Sequence, residues 1–290
     1  MLRLRSSLRL RAHALGAIVA PLALGVTAAP VQGQTDYYNT DAGRPGQIED
    51  ALVLERYGFE LQAAPLRVER ARGGVYSWGV EPELAYGVLP LTQLEVGFPL
   101  ALVDAGPAGY TAGLAGVDVT LLQGLNVETA IPALALGWGV LLPAGALGPE
   151  RAYASVKAIA TRTLSWARFH ANAQYTFGRR PGEQSADDHS HSLGAGSVEL
   201  SRWLAGVAAD KTFPLRSLLM TGEVYARKPL HVGQPVEWNA GTGARYQVSP
   251  RWAMDGGVGR RLNGDDRGWY VTVGAAYAFG VPGLMRLGRR

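Results

Sequence analysis

The sequence predicts an all-β fold, a transmembrane antiparallel up-and-down β-barrel of about 12 strands with a short periplasmic N-terminal segment. Three observations point there: strict two-residue alternation, strand-like segments longer than those of ordinary sheets, and connections that alternate between short and long. In GWYVTVGAAYAFG, at 268–280, Trp269, Val271, Val273, Ala275, Tyr277 and Phe279 share one face, and Tyr270, Thr272, Gly274, Ala276, Ala278 and Gly280 share the other. A soluble sandwich would set charged residues, not glycine and alanine, opposite its apolar face. The apolar face is therefore expected to meet lipid.

Residues 1–33 read as an export signal rather than as structure. Arg3, Arg5, Arg9 and Arg11 form a basic start, and LGAIVAPLALGVTAA at 15–29 is an apolar core too short and too interrupted to span a bilayer comfortably. Four of the 28 basic residues lie in this stretch and no acid does, so the remainder carries 24 bases against 24 acids. A neutral mature chain excludes a concentrated basic surface, and with it a nucleic-acid partner. With no cysteine, disulfides, thiolate metal sites and thiol catalysis are excluded.

After residue 33 comes a polar segment, 34–56, then one uninterrupted series of strand-like stretches, 57–280, and a tail, 281–290. The stretches fall at about 57–69, 75–88, 91–103, 112–122, 130–142, 151–162, 166–178, 196–212, 217–228, 235–248, 251–262 and 268–280. Most exceed the ~5 to 6 residues of a globular strand and match the ~9 to 11 of a tilted membrane crossing with its ends. Connections after the even strands are short, centred on LPL, QGLN, TLS, FPLRS and VSPR. Most after the odd strands are longer and polar, as in VDAGPAGYTA and GRRPGEQSADDHSHSLGAG. Tight turns at one end and long loops at the other fit outer-membrane barrels, with both termini in the periplasm.

Inner strands repeat the alternation with a polar second face. In 236–248, Trp238, Ala240, Thr242, Ala244 and Tyr246 oppose Glu237, Asn239, Gly241, Gly243 and Arg245. In 166–178, Phe169, Ala171, Ala173 and Tyr175 oppose Arg168, His170, Asn172 and Gln174. One face is expected to meet lipid, the other to line a polar lumen. The lumen candidates are Glu60, Glu81, Glu83, Glu95, Asp118, Lys157, Arg168, His170, Glu223, Arg227, Glu237, Arg245, Asp255 and Arg261. Acids on one wall and bases on another form a field that orients a polar solute, or else they pair into a network that stiffens and blocks the barrel.

The last strand resembles the insertion signal of bacterial outer-membrane barrels, a polar residue, a glycine and two aromatics at fixed spacing. Thr272, Gly274, Tyr277 and Phe279 fill those places, although eleven residues, GVPGLMRLGRR, follow Phe279. YGVLPLTQLEVGFPLALV, at 86–103, resembles the turn and LEVG-x-P signature of a transporter family named for the MetA pathway of phenol degradation, and YQVSPRWAMDGGVG, at 246–259, is similar to the same strand, turn and strand. The resemblance implies an outer-membrane protein in contact with lipid, inserted by the barrel assembly machinery, that moves small and often hydrophobic compounds. It implies no catalytic residue, no metal and no cofactor.

Two further readings stay open. Residues 35–56 enter the lumen as a plug, recognise a periplasmic partner through Tyr37, Tyr38 and Asp41, or form an ordinary flexible terminus. The cluster at Asp187, Asp188, His189, Ser190, His191 and Ser192 is either a solvated loop tip or the site of an outer-membrane lipid hydrolase or a metal. Against the transport reading stands a closed structural or adhesion barrel that binds partners through its loops.

Overall fold

The computed structural model describes residue 40 and residues 44–70, 76–104, 109–178, 200–230, 233–264 and 268–281. The signal segment, Tyr37, Tyr38, Asp41, the cluster at 187–192 and residues 282–290 lie outside the described residues. In chain order the strands are β1 (Gly58–Arg70), β2 (Tyr76–Val80), β3 (Glu83–Leu89), β4 (Thr92–Gly97), β5 (Leu100–Asp104), β6 (Tyr110–Leu114), β7 (Val117–Asn126), β8 (Ala133–Leu142), β9 (Tyr153–Thr163), β10 (Arg168–Thr176), β11 (Ser201–Thr212), β12 (Leu218–Pro229), β13 (Glu237–Ser249), β14 (Trp252–Arg261) and β15 (Trp269–Gly280).

These strands make 12 antiparallel crossings, because β2 with β3, β4 with β5, and β6 with β7 each run end to end as one. β1 closes the cylinder against β15, from Gly58↔Gly280 to Arg70↔Trp269. Aromatic rings reinforce the closure on the outside: Phe59 stacks on Tyr86 at 4.4 Å and on Phe279 at 5.2 Å, and Trp252 meets Tyr277 at 4.7 Å. The end of β15 is thus held by its neighbours' rings as well as by main-chain hydrogen bonds. Burial alternates residue by residue, as in Trp269–Gly280, where Tyr270, Thr272, Gly274, Ala276 and Ala278 are buried and their neighbours are not.

Four neighbouring crossings are interrupted at one level. β1 slips register between Ala63 and Leu66, β2 and β3 part at Glu81 and Pro82, β4 and β5 at Phe98 and Pro99, and β6 and β7 at Ala115 and Gly116. Pro65, Pro82 and Pro99 have no N–H to give to a ladder, which confines proline to edges and irregularities of sheets. Among the described residues, single main-chain bonds cross the seam at its centre, Phe98 N–H to Pro82 O at 3.0 Å and Ala115 N–H to Pro99 O at 2.8 Å. Among themselves the other crossings, β8 to β15, keep paired ladders through their middles, with register shifts only near strand ends, at Ser201/Trp203 and Gln247/Ser249.

The turn after the fourth crossing differs from the expected QGLN. Those residues stay in β7, which runs to Asn126, and the turn comprises 127–132. The Asn126 side chain makes the difference: it donates to Val127 O and Pro132 O and accepts from the Leu134 N–H, holding a six-residue turn closed.

Candidate functional site in the barrel interior

The interior has two unlike halves. Behind β9–β15 and β1, inward charges meet one another. Asp210 accepts two hydrogen bonds from Arg168, at 2.9 and 2.7 Å, and contacts His170 Nε2 at 3.0 Å. Glu237 sits between Arg227 at 2.8 Å and Arg261 at 3.3 Å. Arg245, fully buried at 0% exposure, lies 3.4 Å from Glu60. Arg67 pairs with Glu69 at 3.3 Å and caps the Tyr270 ring at 3.9 Å, while the Tyr270 hydroxyl donates to Glu223 at 3.1 Å. Buried charges need such partners, since an unmatched one is costly away from water.

Residues 44–56 run through this interior, entering at the short-turn end where Tyr57 begins the first crossing. Their main chain is bound by wall side chains. Glu223 accepts the N–H groups of Gln47 at 2.6 Å and Ile48 at 2.9 Å. Asn172 exchanges two hydrogen bonds with the main chain of Glu49, at 2.9 and 2.8 Å. Thr161 accepts from Ala51 at 2.9 Å, Gln93 accepts from Leu54 at 2.6 Å, and the Thr272 hydroxyl donates to Pro45 O at 3.2 Å. Such bonds satisfy a stretch that has no ladder of its own. Arg44 reaches Asp255 at 3.0 Å, Glu49 pairs with Lys157, and Asp50 lies 3.7 Å from Arg168. Thr40 and Asp50 bond to each other through the Thr40 N–H to the Asp50 carboxylate at 3.0 Å and the Asp50 N–H to Thr40 O at 3.2 Å.

Apolar contacts match the polar ones. Ile48 packs with Leu204, Ala208 and Tyr225, and Ala51 with Leu122, Ala133, Ala135 and Ile159. Two inward glycines make room for the tip: a Cβ on Gly243 would lie 2.5 Å from the Pro45 ring, and one on Gly257 2.2 Å from Pro45 O. Only glycine admits main chain that close.

Behind β2–β8 the interior also holds a cavity. It measures about 130 Å³, room for several waters, lies above Arg44 and Gln47 and is walled by Glu81, Glu83, Glu95, Asp118 and Lys157. Glu81 and Asp118 crowd together across Gly97, whose Cβ would sit 3.1 Å from Glu81 Oε1 and 3.7 Å from the Asp118 Cβ. At the cavity Lys157 pairs with Glu49, Arg44 with Asp255 and Arg67 with Glu69, while Gln93 donates to Glu95 at 2.7 Å and Thr120 to Asp118 at 3.1 Å. Leu66, Val80 and Leu100 also border it, although they belong to the outer face by alternation, so the cavity reaches into the seam.

Glu60, His170, Glu223, Arg227, Glu237, Arg245, Asp255 and Arg261 are buried in the interior, Arg168 is nearly so, and Glu81, Glu83, Glu95, Asp118 and Lys157 border the cavity. In β15, Thr272 and Gly274 face inward while Tyr277 and Phe279 stand on the ringed outer face. Sequence reading did not single out Arg44, Glu49, Asp50, Asp210, Thr161 or Tyr270. Asp210 and Tyr270 were accessible from alternation alone; Arg44, Glu49 and Asp50 carry no periodic signal.

The chain is similar to a KdgM porin in complex with disordered oligogalacturonate, with TM-score 0.50 and 9% identity over 77% of this chain and 99% of that one. It is also similar to the COG4313 outer membrane channel from Pseudomonas putida F1, with TM-score 0.49 and 16% identity over 77% of this chain and 94% of that one. At such identity the KdgM likeness speaks to fold alone. Comparison with curated proteins returns no match. The family model described as "Putative MetA-pathway of phenol degradation" matches residues 42–279, from beside the interior segment through Phe279, and the chain belongs to that family.

Proposed function

We propose that the chain is an outer-membrane conduit for small molecules, hydrophobic and aromatic compounds among them, and that it performs no chemistry of its own. One observation carries the reading: the acid-walled cavity above Arg44 and Gln47, which reaches the seam of interrupted strands. A solute there has polar partners on the lumen side and Leu66, Val80 and Leu100 toward the bilayer. Residues 44–56 act as the constriction along this path. Membership in a family named for phenol degradation supports a small, partly apolar solute, and the likeness to a porin supports a barrel that passes solutes. In this reading residues 1–33 are removed on export, and Thr272, Gly274, Tyr277 and Phe279 are read by the barrel assembly machinery.

The test is conductance of refolded residues 34–290 in a planar bilayer. Discrete cation-preferring steps are expected, with the reversal potential moving toward anions in the Glu81→Gln, Glu83→Gln double variant. Silence from a folded, heat-modifiable barrel would overturn the reading. The main-chain bonds from Glu223 and Asn172 across the interior favour a second reading, a closed structural or adhesion barrel. Unchanged solute uptake in a deletion strain would point to it.

A further inference from the structure

The outer wall carries a groove over β13, β14 and the start of β15. Ala240, Thr242, Val258, Arg260 and Trp269 line it, and Gly241 and Gly259 contribute main chain. Its depth follows from side-chain size: Ala240 and Thr242 stand low, while Trp269 on one side and Trp238 above rise from the wall. Thr242 donates its hydroxyl to Thr221 O at 2.8 Å, so the groove floor makes no polar demand of its own.

Arg260 sits at the long-loop end of this groove, opposite Ala240 in β13 and Trp269 in β15. Three other cations of the barrel surface are held by the protein: Arg162 by Thr129 O and Glu128, Arg202 by Thr176 O and Gly178 O, and Lys228 by Gln234 O. Arg260 forms no ion pair with a described residue and is exposed. An arginine on the lipid-facing side is tolerated near the interface, where tryptophans gather and its cost falls. Its planar guanidinium matches a phosphate with two parallel hydrogen bonds.

We propose that this groove binds a phosphorylated lipid, its phosphate on Arg260 and one acyl chain along Ala240, Thr242 and Val258 between the tryptophans. Charge complementarity selects the headgroup, and the low apolar floor selects the chain.

The experiment is native mass spectrometry of the full chain in detergent, titrated with phosphatidylglycerol and, in parallel, with diacylglycerol of the same chains. Phosphatidylglycerol is expected to be retained and diacylglycerol not. Arg260→Gln, which removes the charge, and Ala240→Trp, which fills the groove, should each lower retention several-fold, while Arg260→Lys keeps most of it. Heat-modifiability checks that each variant is folded. Equal retention of both lipids, or no loss in either of the first two variants, would overturn the proposal. Loss in Arg260→Gln alone would reduce the site to a bare surface charge and overturn the groove. Loss in Ala240→Trp alone would remove the headgroup assignment, and displacement of the lipid by inorganic phosphate would assign the arginine to a free anion.

Discussion

The two halves of the wall divide the work. From β9 to β15, continuous ladders carry an interior of matched charges, with Arg245 on Glu60, Arg227 and Arg261 on Glu237, and Arg168 on Asp210. From β2 to β7 the ladders break at Pro82, Pro99 and Gly116, and the interior there holds an acid-walled cavity. Residues 44–51 bridge the two, bound to Glu223 and Asn172 on one side and to Lys157 at the cavity on the other. The difference teaches that one barrel can combine a wall of unbroken pairing over matched charges with a wall whose breaks border a cavity.

That contrast is testable, and the largest effect should come from the paired half. Arg245→Ala removes a fully buried cation beside buried Glu60 and should lower stability by about 3 to 5 kcal/mol, read as a shift of the urea midpoint in lipid vesicles. Glu81→Gln, at the cavity, should change the midpoint by about 0.5 kcal/mol or less. Equal losses would erase the distinction between the halves.

A middle effect is expected at the tip of the interior segment. Gly257→Leu puts a Cβ 2.2 Å from Pro45 O, where main chain must yield, so the segment should leave the lumen. Conductance should rise several-fold, and added protease should cut between residues 44 and 56. Gly97→Ala is tight against Glu81 Oε1 at 3.1 Å, the end of a flexible side chain, with ordinary contacts at 3.7 Å and beyond, and should change neither readout.

The smallest effect belongs to the seam. Pro99→Val restores an N–H and should stabilise the crossing by about 1 kcal/mol. Hydrogen exchange around residues 97–101 should slow toward that of β13, and flux of a small aromatic solute should fall. Faster exchange in the variant would show that the proline is not what interrupts the ladder.

Much of the barrel was legible in the sequence because lipid and lumen lie on opposite sides of every strand. Period-two alternation separates Trp238 from Glu237 and Phe169 from His170 with no knowledge of neighbours. The interruptions were legible in principle, since Pro82 and Pro99 stand inside stretches otherwise read as continuous. The turn after β7 was misplaced because Gly124 and Asn126 suit both a turn and a strand end, and the Asn126 bonds that decide between them reach across to Leu134.

The sequence by itself determined the crossings, the face each residue presents within an uninterrupted stretch, and the grouping of acids Glu81, Glu83, Glu95 and Asp118, all of which follow from spacing and side-chain chemistry. Only the tertiary structure decided that Pro45 meets Thr272, Gly243 and Gly257, and that Glu223 holds Gln47 and Ile48. Those partners lie up to 227 positions apart and share no local period, so only closing the barrel brings the glycines and acceptors around one path for the chain.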